Sequence, residues 1–245
     1  MKNKLLVWVS ALIFTGVVMF APAKAADSLP MSANNSWTGG YLGLHAGYGF
    51  GNSDWTFNNV GGGIWNNVPG DTVDYNADGI LAGGQAGYMW QQNNLVLGAD
   101  VSISAGSIND KITSPFFPAS DNLETDIKTI ALVQARVGWA QDNWLVYFQG
   151  GYAGADTEIK LTTIVPGFVN ESNSRWQNGW TAGAGFLMNI PNIENISVGA
   201  EYSYIDLGSS THTLSANGAP SDSISVENKI HSLKLTLNYH FGNLY

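Results

Sequence analysis

The segment VENKIHSLKLTLNYHF, residues 226–241, decides the fold. Near its end every second residue is apolar, and the residues between them are polar. The apolar set is Leu233, Leu235, Leu237, Tyr239 and Phe241, and the polar set is Ser232, Lys234, Thr236, Asn238 and His240. A period of two over this length predicts a β-strand. Because its two faces require different solvents, the strand suits a closed barrel in lipid, apolar outside and polar inside.

Seven earlier segments repeat this alternation. They are Trp37–Gly51, Gly79–Gln91, Leu95–Ala105, Ile127–Trp139, Trp144–Ala155, Asn178–Asn189 and Ile196–Leu207. Short turns alternate with long connections, which are predicted as loops at Asn52–Asp78, Gly106–Asp126, Asp156–Gln177 and Gly208–Ser225. Bacterial outer-membrane barrels have even strand numbers, short periplasmic turns and longer external loops. The sequence therefore predicts an all-β, eight-stranded antiparallel up-and-down transmembrane barrel with both termini in the periplasm.

Composition agrees with strands rather than helices. Charged residues make up 12% of the chain, and there are 29 glycines and no cysteine. Glycine is unfavourable in helices. The formal net charge of −9 argues against a nucleic-acid partner, because nucleic-acid-binding proteins present basic patches.

The first 25 residues have the pattern of a cleaved signal peptide. Lys2 and Lys4 precede an apolar run, and Ala23-Lys24-Ala25 is an A-x-A cleavage site. We expect residues 26–36 to form a periplasmic leader and residues 37–245 to form the barrel domain.

Four charged residues fall on the polar faces of the predicted strands, at similar depths. They are Asp100, Arg136, Glu201 and Lys234. Charges that face lipid at mid-membrane height cost about 2–4 kcal/mol each, so pairing inside the barrel is favoured. An eight-stranded barrel is just wide enough for its side chains to fill, which favours an interior salt-bridge network. An ion path or a catalytic site remains the alternative interpretation.

The apolar faces carry aromatic residues at both ends of the predicted strands, with one methionine among them. The periplasmic group is Trp90, Trp139, Trp144, Met188, Tyr239 and Phe241, and the external group is Tyr48, Phe50, Trp180, Tyr202 and Tyr204. Two such belts are typical of the two lipid–water interfaces.

The residues indicate no catalytic or metal centre. The four histidines lack metal-ligand spacing, and His231 and Ser232 are adjacent on a strand and therefore face opposite ways. The predicted loops carry Trp55, Trp65 and His212 as candidate contacts for a host molecule or a haem. Acidic loop residues are an alternative contact for divalent cations that bridge to lipopolysaccharide.

Seven motifs in order resemble one protein family. They are AADSLP (25–30), WTGGYLGLHAGYGFG (37–51), VQARVGWA (133–140), WLVYFQGGYAGA (144–155), GWTAGAGFLMN (179–189), VGAEYSYIDLG (198–208) and LKLTLNYHF (233–241). The set is similar to the small outer-membrane β-barrels of alpha-proteobacterial surface antigens and hemin-binding proteins, which are related to OmpA-like barrels. Such families commonly end on an aromatic residue that the barrel assembly machinery reads, which here is either Phe241 or Tyr245.

The resemblance and the strand pattern together predict a structural outer-membrane surface protein rather than an enzyme. Its expected role is envelope integrity, adhesion or service as a surface antigen. One alternative is a porin-like protein that binds or admits haem or a small solute, and another is a barrel enzyme acting on lipid or peptide. The expected partners are outer-membrane lipid with its lipopolysaccharide, the assembly machinery, and a host or haem ligand at the external loops; no cofactor is required.

Overall fold

The structure is a computed structural model. It describes residues 36–60, 69–115, 119–164, 171–191, 193, 195–216 and 219–241. The predicted signal peptide, the leader up to residue 35, Trp65 and Tyr245 lie outside the described residues. None of the described residues belongs to a helix long and apolar enough to cross a membrane.

The described residues form eight antiparallel strands in up-and-down order. They are β1 (Gly39–Val60), β2 (Thr72–Gln92), β3 (Leu95–Thr113), β4 (Asp121–Gln141), β5 (Trp144–Thr163), β6 (Glu171–Asn189), β7 (Ile196–Ala216) and β8 (Ala219–His240). Each strand pairs with its neighbours in the chain, and β1 pairs with β8, which closes the barrel. The predicted all-β, antiparallel up-and-down barrel is confirmed.

Tight turns join the strands at one end of the barrel, which we name the turn end. The two-residue turns Asn93–Asn94 and Asp142–Asn143 connect β2 to β3 and β4 to β5. Asn93 and Asp142 adopt positive φ angles of 54° and 52°, a conformation that asparagine and aspartate tolerate better than most residues. By the rule for bacterial barrels, the turn end faces the periplasm, and the opposite end, the loop end, faces outward.

The prediction of long loops at the loop end is wrong, because the strands continue through most of the segments that were assigned to loops. β1 runs to Val60 and β2 begins at Thr72, where the prediction had one loop over Asn52–Asp78. The strands have 19–22 residues each, whereas about 9–11 residues suffice to cross a bilayer. The strand pairs β1–β2, β3–β4, β5–β6 and β7–β8 therefore extend beyond the membrane as four ribbons.

The alternation of polar and apolar residues inverts along each strand. Near the turn end of β8, Leu235 is 69% exposed on the outer face and Lys234 is 2% exposed on the inner face. Near the loop end of the same strand, the inner-face Val226 is fully buried, whereas the Glu227 side chain outside is 42% exposed. The inversion has one cause: the outer solvent changes from hydrocarbon to water, so the apolar face turns inward above the membrane.

Three apolar layers fill the interior. The lower layer, at the turn end, contains Trp37, Tyr41, Met89, Val96, Ala140, Leu145, Tyr147 and Leu187. The middle layer contains Ala77, Leu81, Ile108, Ile127, Ile130, Leu132, Ala153, Ala155, Ile205, Leu207 and Ile230. The upper layer, at the loop end, contains Trp55, Phe57, Val73, Leu123, Ile159, Ile224 and Val226.

Trp37 belongs to the lower layer rather than to the first strand, where the prediction placed it. It precedes β1, and its side chain is fully buried. Its backbone N–H donates to Gln91 Oε1 at 2.8 Å, and its ring meets the His240 ring edge-on. Trp37 therefore packs into the barrel at the turn end.

The predicted aromatic residues lie on the outer face at both ends of the apolar band. Trp90, Trp139 and Tyr239 are about half exposed near the turn end. Near the loop end, His231 stacks on Phe50 at a centroid distance of 5.3 Å, and Tyr202 hydrogen-bonds to His231 Nδ1 at 2.7 Å. This arrangement suits rings at a lipid–water interface.

Beyond the membrane the barrel divides into two four-stranded sheets. Within the described residues, backbone pairing of β6 with β7 ends at Trp180–Asp206, and pairing of β2 with β3 ends at Asp78–Asn109. One sheet is then β7-β8-β1-β2 and the other is β3-β4-β5-β6. The Trp55 indole N–H of the first sheet donates to Thr125 Oγ1 of the second at 3.1 Å, so the upper layer joins the two.

Candidate functional site

The structure brings the four predicted interior charges together between the lower and middle layers. Arg136 Nη2 lies 2.7 Å from Glu201 Oε1 and 3.4 Å from Asp100 Oδ1. Lys234 Nζ lies 3.2 Å from Glu201 Oε2. All four side chains are at most 3% exposed. Two acids thus neutralise two bases, and the site has no net formal charge.

Two tyrosines complete this charge network. The Tyr41 hydroxyl donates to Asp100 Oδ2 at 2.7 Å and accepts from Arg136 Nη1 at 2.7 Å. The Tyr147 hydroxyl donates to Glu201 Oε1 at 2.5 Å, and the guanidinium of Arg136 lies 4.7 Å from the Tyr147 ring centroid. Sequence reasoning did not include these tyrosines in the site. The sequence does contain a signal for them. Both tyrosines alternate with the apolar outer-face residues of their strands, so their register assigns them to the interior.

Arg136 is the centre of the network. Its Nε donates to Gln149 Oε1 at 3.0 Å, so every nitrogen of its guanidinium has a partner. The network joins side chains from six strands: Tyr41 of β1, Asp100 of β3, Arg136 of β4, Tyr147 and Gln149 of β5, Glu201 of β7 and Lys234 of β8. Planar, multidentate pairing of this kind fixes geometry as well as charge.

A second polar chain lies beside the charge network. His45 Nδ1 is 3.1 Å from Gln85 Oε1, and the Gln85 amide donates to Asn238 Oδ1 at 2.6 Å. Since Gln85 Oε1 only accepts, His45 carries its proton on Nδ1, and the Ser104 hydroxyl donates to His45 Nε2 at 2.8 Å. His45, Gln85, Ser104 and Asn238 are all buried, so these hydrogen bonds link β1, β2, β3 and β8 inside the barrel.

The candidate contact residues Trp55 and His212 are not on loops, and that prediction is wrong. Trp55 lies in β1 and His212 lies in β7, and both side chains are fully buried inside the extracellular ribbons. The reason is the inverted alternation, which turns the large side chains of these segments inward. Neither residue is presented to a ligand outside the cell.

The exposed charges of the ribbons form ion pairs across β4 and β5. Lys128 Nζ lies 2.5 Å from Glu158 Oε2, and Lys160 Nζ lies 3.0 Å from Glu124 Oε1. The hydrogen bond from Lys128 lowers the pKa of Glu158. Among the described residues, no group of three or more histidine, cysteine, aspartate or glutamate side chains is arranged to hold a metal ion.

The chain matches the family model described as the outer membrane protein beta-barrel domain over residues 13–241. The chain belongs to this family. It is also 31% identical, over 98% of its length and all of the relative, to the 31 kDa outer-membrane immunogenic protein of Brucella melitensis. The 25 kDa outer-membrane immunogenic protein of Brucella abortus is 29% identical over 84% of this chain and 80% of the relative.

A solved structure supports the fold alone. The outer membrane protease OmpT from Escherichia coli superposes with a TM-score of 0.51 over 82% of this chain and 97% of the protease, at 9% sequence identity. Family membership and the apolar outer band place the protein in the bacterial outer membrane, as the sequence predicts.

Proposed function

We propose that the protein is a surface-exposed structural barrel that anchors four extracellular β-ribbons and presents their tips outside the cell. The observation that carries this proposal is the filled interior, combined with strands that extend about twice as far as a membrane crossing requires. The packed interior layers support a rigid scaffold, and the outer faces of the ribbons are left for contact. The roles that suit this form are surface antigen, adhesion and envelope integrity.

The relatives support the same assignment. Both Brucella proteins carry the description immunogenic, which is expected of a protein whose ribbons are accessible to antibodies. None of their descriptions names an enzymatic activity, and the likeness to a protease lies in the fold. We therefore propose a role in contact and anchoring rather than in catalysis.

The same layers argue against solute permeation. A solute crossing the barrel would have to displace the lower, middle and upper layers as well as the charge network between them. An eight-stranded barrel is just wide enough for its side chains to fill or to hold one small ligand, and here buried side chains occupy the interior. Haem binding through His212 is likewise disfavoured, because that imidazole is enclosed inside the ribbons.

Further partners belong to this proposal. The aromatic belts fit the two membrane interfaces, where lipopolysaccharide is the outer-leaflet lipid, and barrel insertion calls for the assembly machinery. A host molecule at the ribbon tips is the partner that adhesion requires.

Two measurements test the proposal. An epitope tag inserted between Val60 and Thr72 is expected to bind antibody on intact cells, whereas the same tag inserted between Asp142 and Asn143 binds only after the cells are permeabilised. Purified protein in planar bilayers is expected to give no discrete conductance steps. If the first tag, like the second, bound antibody only after permeabilisation, surface presentation would be overturned. Regular conductance steps would overturn the filled interior.

A further inference from the structure

One boundary in the extracellular ribbons lacks a backbone ladder. We name it the β6–β7 seam: residues 171–179 of β6 and 207–216 of β7, which lie beyond the last pair, Trp180–Asp206. Side chains bridge it instead. The Arg175 guanidinium donates to the Thr211 carbonyl oxygen, and His212 Nδ1 lies 3.0 Å from Asn173 Oδ1. Among the described residues, side-chain contacts therefore hold β6 and β7 together where the flanking β5–β6 and β7–β8 pairs have backbone bonds. Asn228 Nδ2 of β8 also donates to Gln177 Oε1 of β6 across the seam at 2.7 Å.

His212 is the unusual member of this seam. Its side chain is fully buried, and its Nε2 has no hydrogen-bond partner among the described residues. Because Asn173 Oδ1 accepts, the proton is on Nδ1, and Nε2 is a buried lone pair. Directly opposite on β8 is Ile224, a member of the upper layer, so the ring is enclosed by apolar side chains on that side.

Adding a proton to this ring in the closed seam is unfavourable. The new Nε2–H would have no acceptor, and the cation would be buried close to Arg175. Burial, and then the charge of Arg175, lower the pKa of His212 from 6.5 to about 4. With the seam open, the ring meets water and its pKa returns to its ordinary value, so protons favour the open seam.

We propose that the β6–β7 seam is an acid-operated opening in which protonation of His212 releases β7 from β6 and changes how the β7–β8 ribbon is presented outside the cell. The direction follows from linkage. A histidine with a depressed pKa in the closed state stabilises that state above pH 6.5, and this stabilisation is lost as the pH falls toward 4. The membrane barrel, whose β6–β7 ladder is intact, stays closed.

The other charged groups near the seam have partners of their own. Arg175 on β6 donates to the Thr211 carbonyl oxygen. Asp206 at the base of β7 accepts from the Gly208 N–H, Asp156 on β5 accepts from Ser174, and Glu227 on β8 pairs with Lys229. Replacing His212 alone, as below, separates its contribution from theirs.

A pair of spin labels measures the opening, because no backbone bonds of the residues that the structure describes cross the seam, so hydrogen exchange could not report their loss. Between about pH 7.5 and pH 5, pKa values of 6.5 and about 4 imply that the opening constant rises about 30-fold. For labels at position 172 of β6 and position 213 of β7, the ratio of separated to close label pairs is expected to rise by that factor. For labels at positions 182 and 204, where the β6–β7 ladder is intact, the distance is expected to stay unchanged. The measurement uses the full chain folded in lipid vesicles.

Two variants separate the proposal from general acid sensitivity. His212→Gln places a neutral side chain in the seam, so the distance between its labels at positions 172 and 213 is expected to be independent of pH, whatever that distance is. His231→Gln changes an outer-face histidine away from the seam and is expected to keep the full response. A response retained in His212→Gln, a response lost in His231→Gln, or no response in the wild-type protein would each overturn the proposal.

Discussion

Replacing Glu201 with glutamine gives the sharpest test of the charge network. The carboxylate accepts from Arg136 at 2.7 Å and from the Tyr147 hydroxyl at 2.5 Å, and its Oε2 forms an ion pair with Lys234 Nζ at 3.2 Å. Glu201→Gln keeps the shape of the side chain and removes its charge, so two buried cations are left facing only Asp100. The site changes from neutral to a net charge of +1.

The expected loss follows from these distances. At an effective dielectric constant of about 20, two unit charges about 3 Å apart attract by roughly 5–6 kcal/mol. The amide retains part of the hydrogen bonding, and breaking a buried ion pair typically costs about 3–5 kcal/mol. We expect Glu201→Gln to lower the free energy of unfolding by about 3–5 kcal/mol. Urea unfolding of the protein refolded in lipid vesicles measures this loss.

Lys234→Met is the matched second change. It leaves the site with a net charge of −1 and is expected to cost about as much as the first change. The double variant Glu201→Gln/Lys234→Met restores a neutral site. Its loss of unfolding free energy is therefore expected to be smaller than the sum of the losses in the two single variants. Single variants that unfold at the wild-type midpoint, or losses that add without coupling, would refute the network.

Three further changes test other parts of the interior. Tyr147→Phe removes the hydroxyl that donates to Glu201 and is expected to cost about 1–3 kcal/mol in the same urea assay. Gly185→Ala places a methyl group against the Tyr147 ring, and the displaced ring is expected to cost about 1–3 kcal/mol; stability equal to wild type would show that the ring is not held there. Trp55→Ala opens a cavity in the upper layer and is expected to cost about 3–5 kcal/mol locally. Limited proteolysis of its extracellular ribbons should then be fast while the folded gel mobility persists, whereas the control Trp176→Ala, which changes a half-exposed side chain, should stay resistant.

The membrane barrel was predictable because its two faces meet different solvents. Leu235 and Lys234 are adjacent, so the sequence alone assigns one to lipid and the other to the interior. The same rule brought Asp100, Arg136, Glu201 and Lys234 to one surface, and the structure adds their distances. The register of a strand carries this information without any knowledge of its neighbours.

The extracellular ribbons were not predictable by that rule. Residues 52–58 keep the alternation of a strand, but the apolar Trp55 and Phe57 turn inward, and Asn52, Asp54 and Thr56 turn outward. The prediction required apolar residues on the lipid-facing side of a strand. Because the alternation is inverted here and asparagines and glycines are frequent, these segments were predicted as loops. The burial of His212 follows from the same inversion and from packing between sheets, which a single strand does not specify.

Spin labels along β8 test the central assignment of faces most directly. The chain has no cysteine, so single labels at positions 235, 236 and 237 are straightforward to introduce. Leu235 and Leu237 are 69% and 49% exposed, whereas Thr236 is 4% exposed. In lipid vesicles, labels at 235 and 237 should collide freely with oxygen dissolved in the bilayer, and the label at 236 should collide with it rarely. Equal oxygen collision at all three positions, or the reverse alternation, would contradict the account.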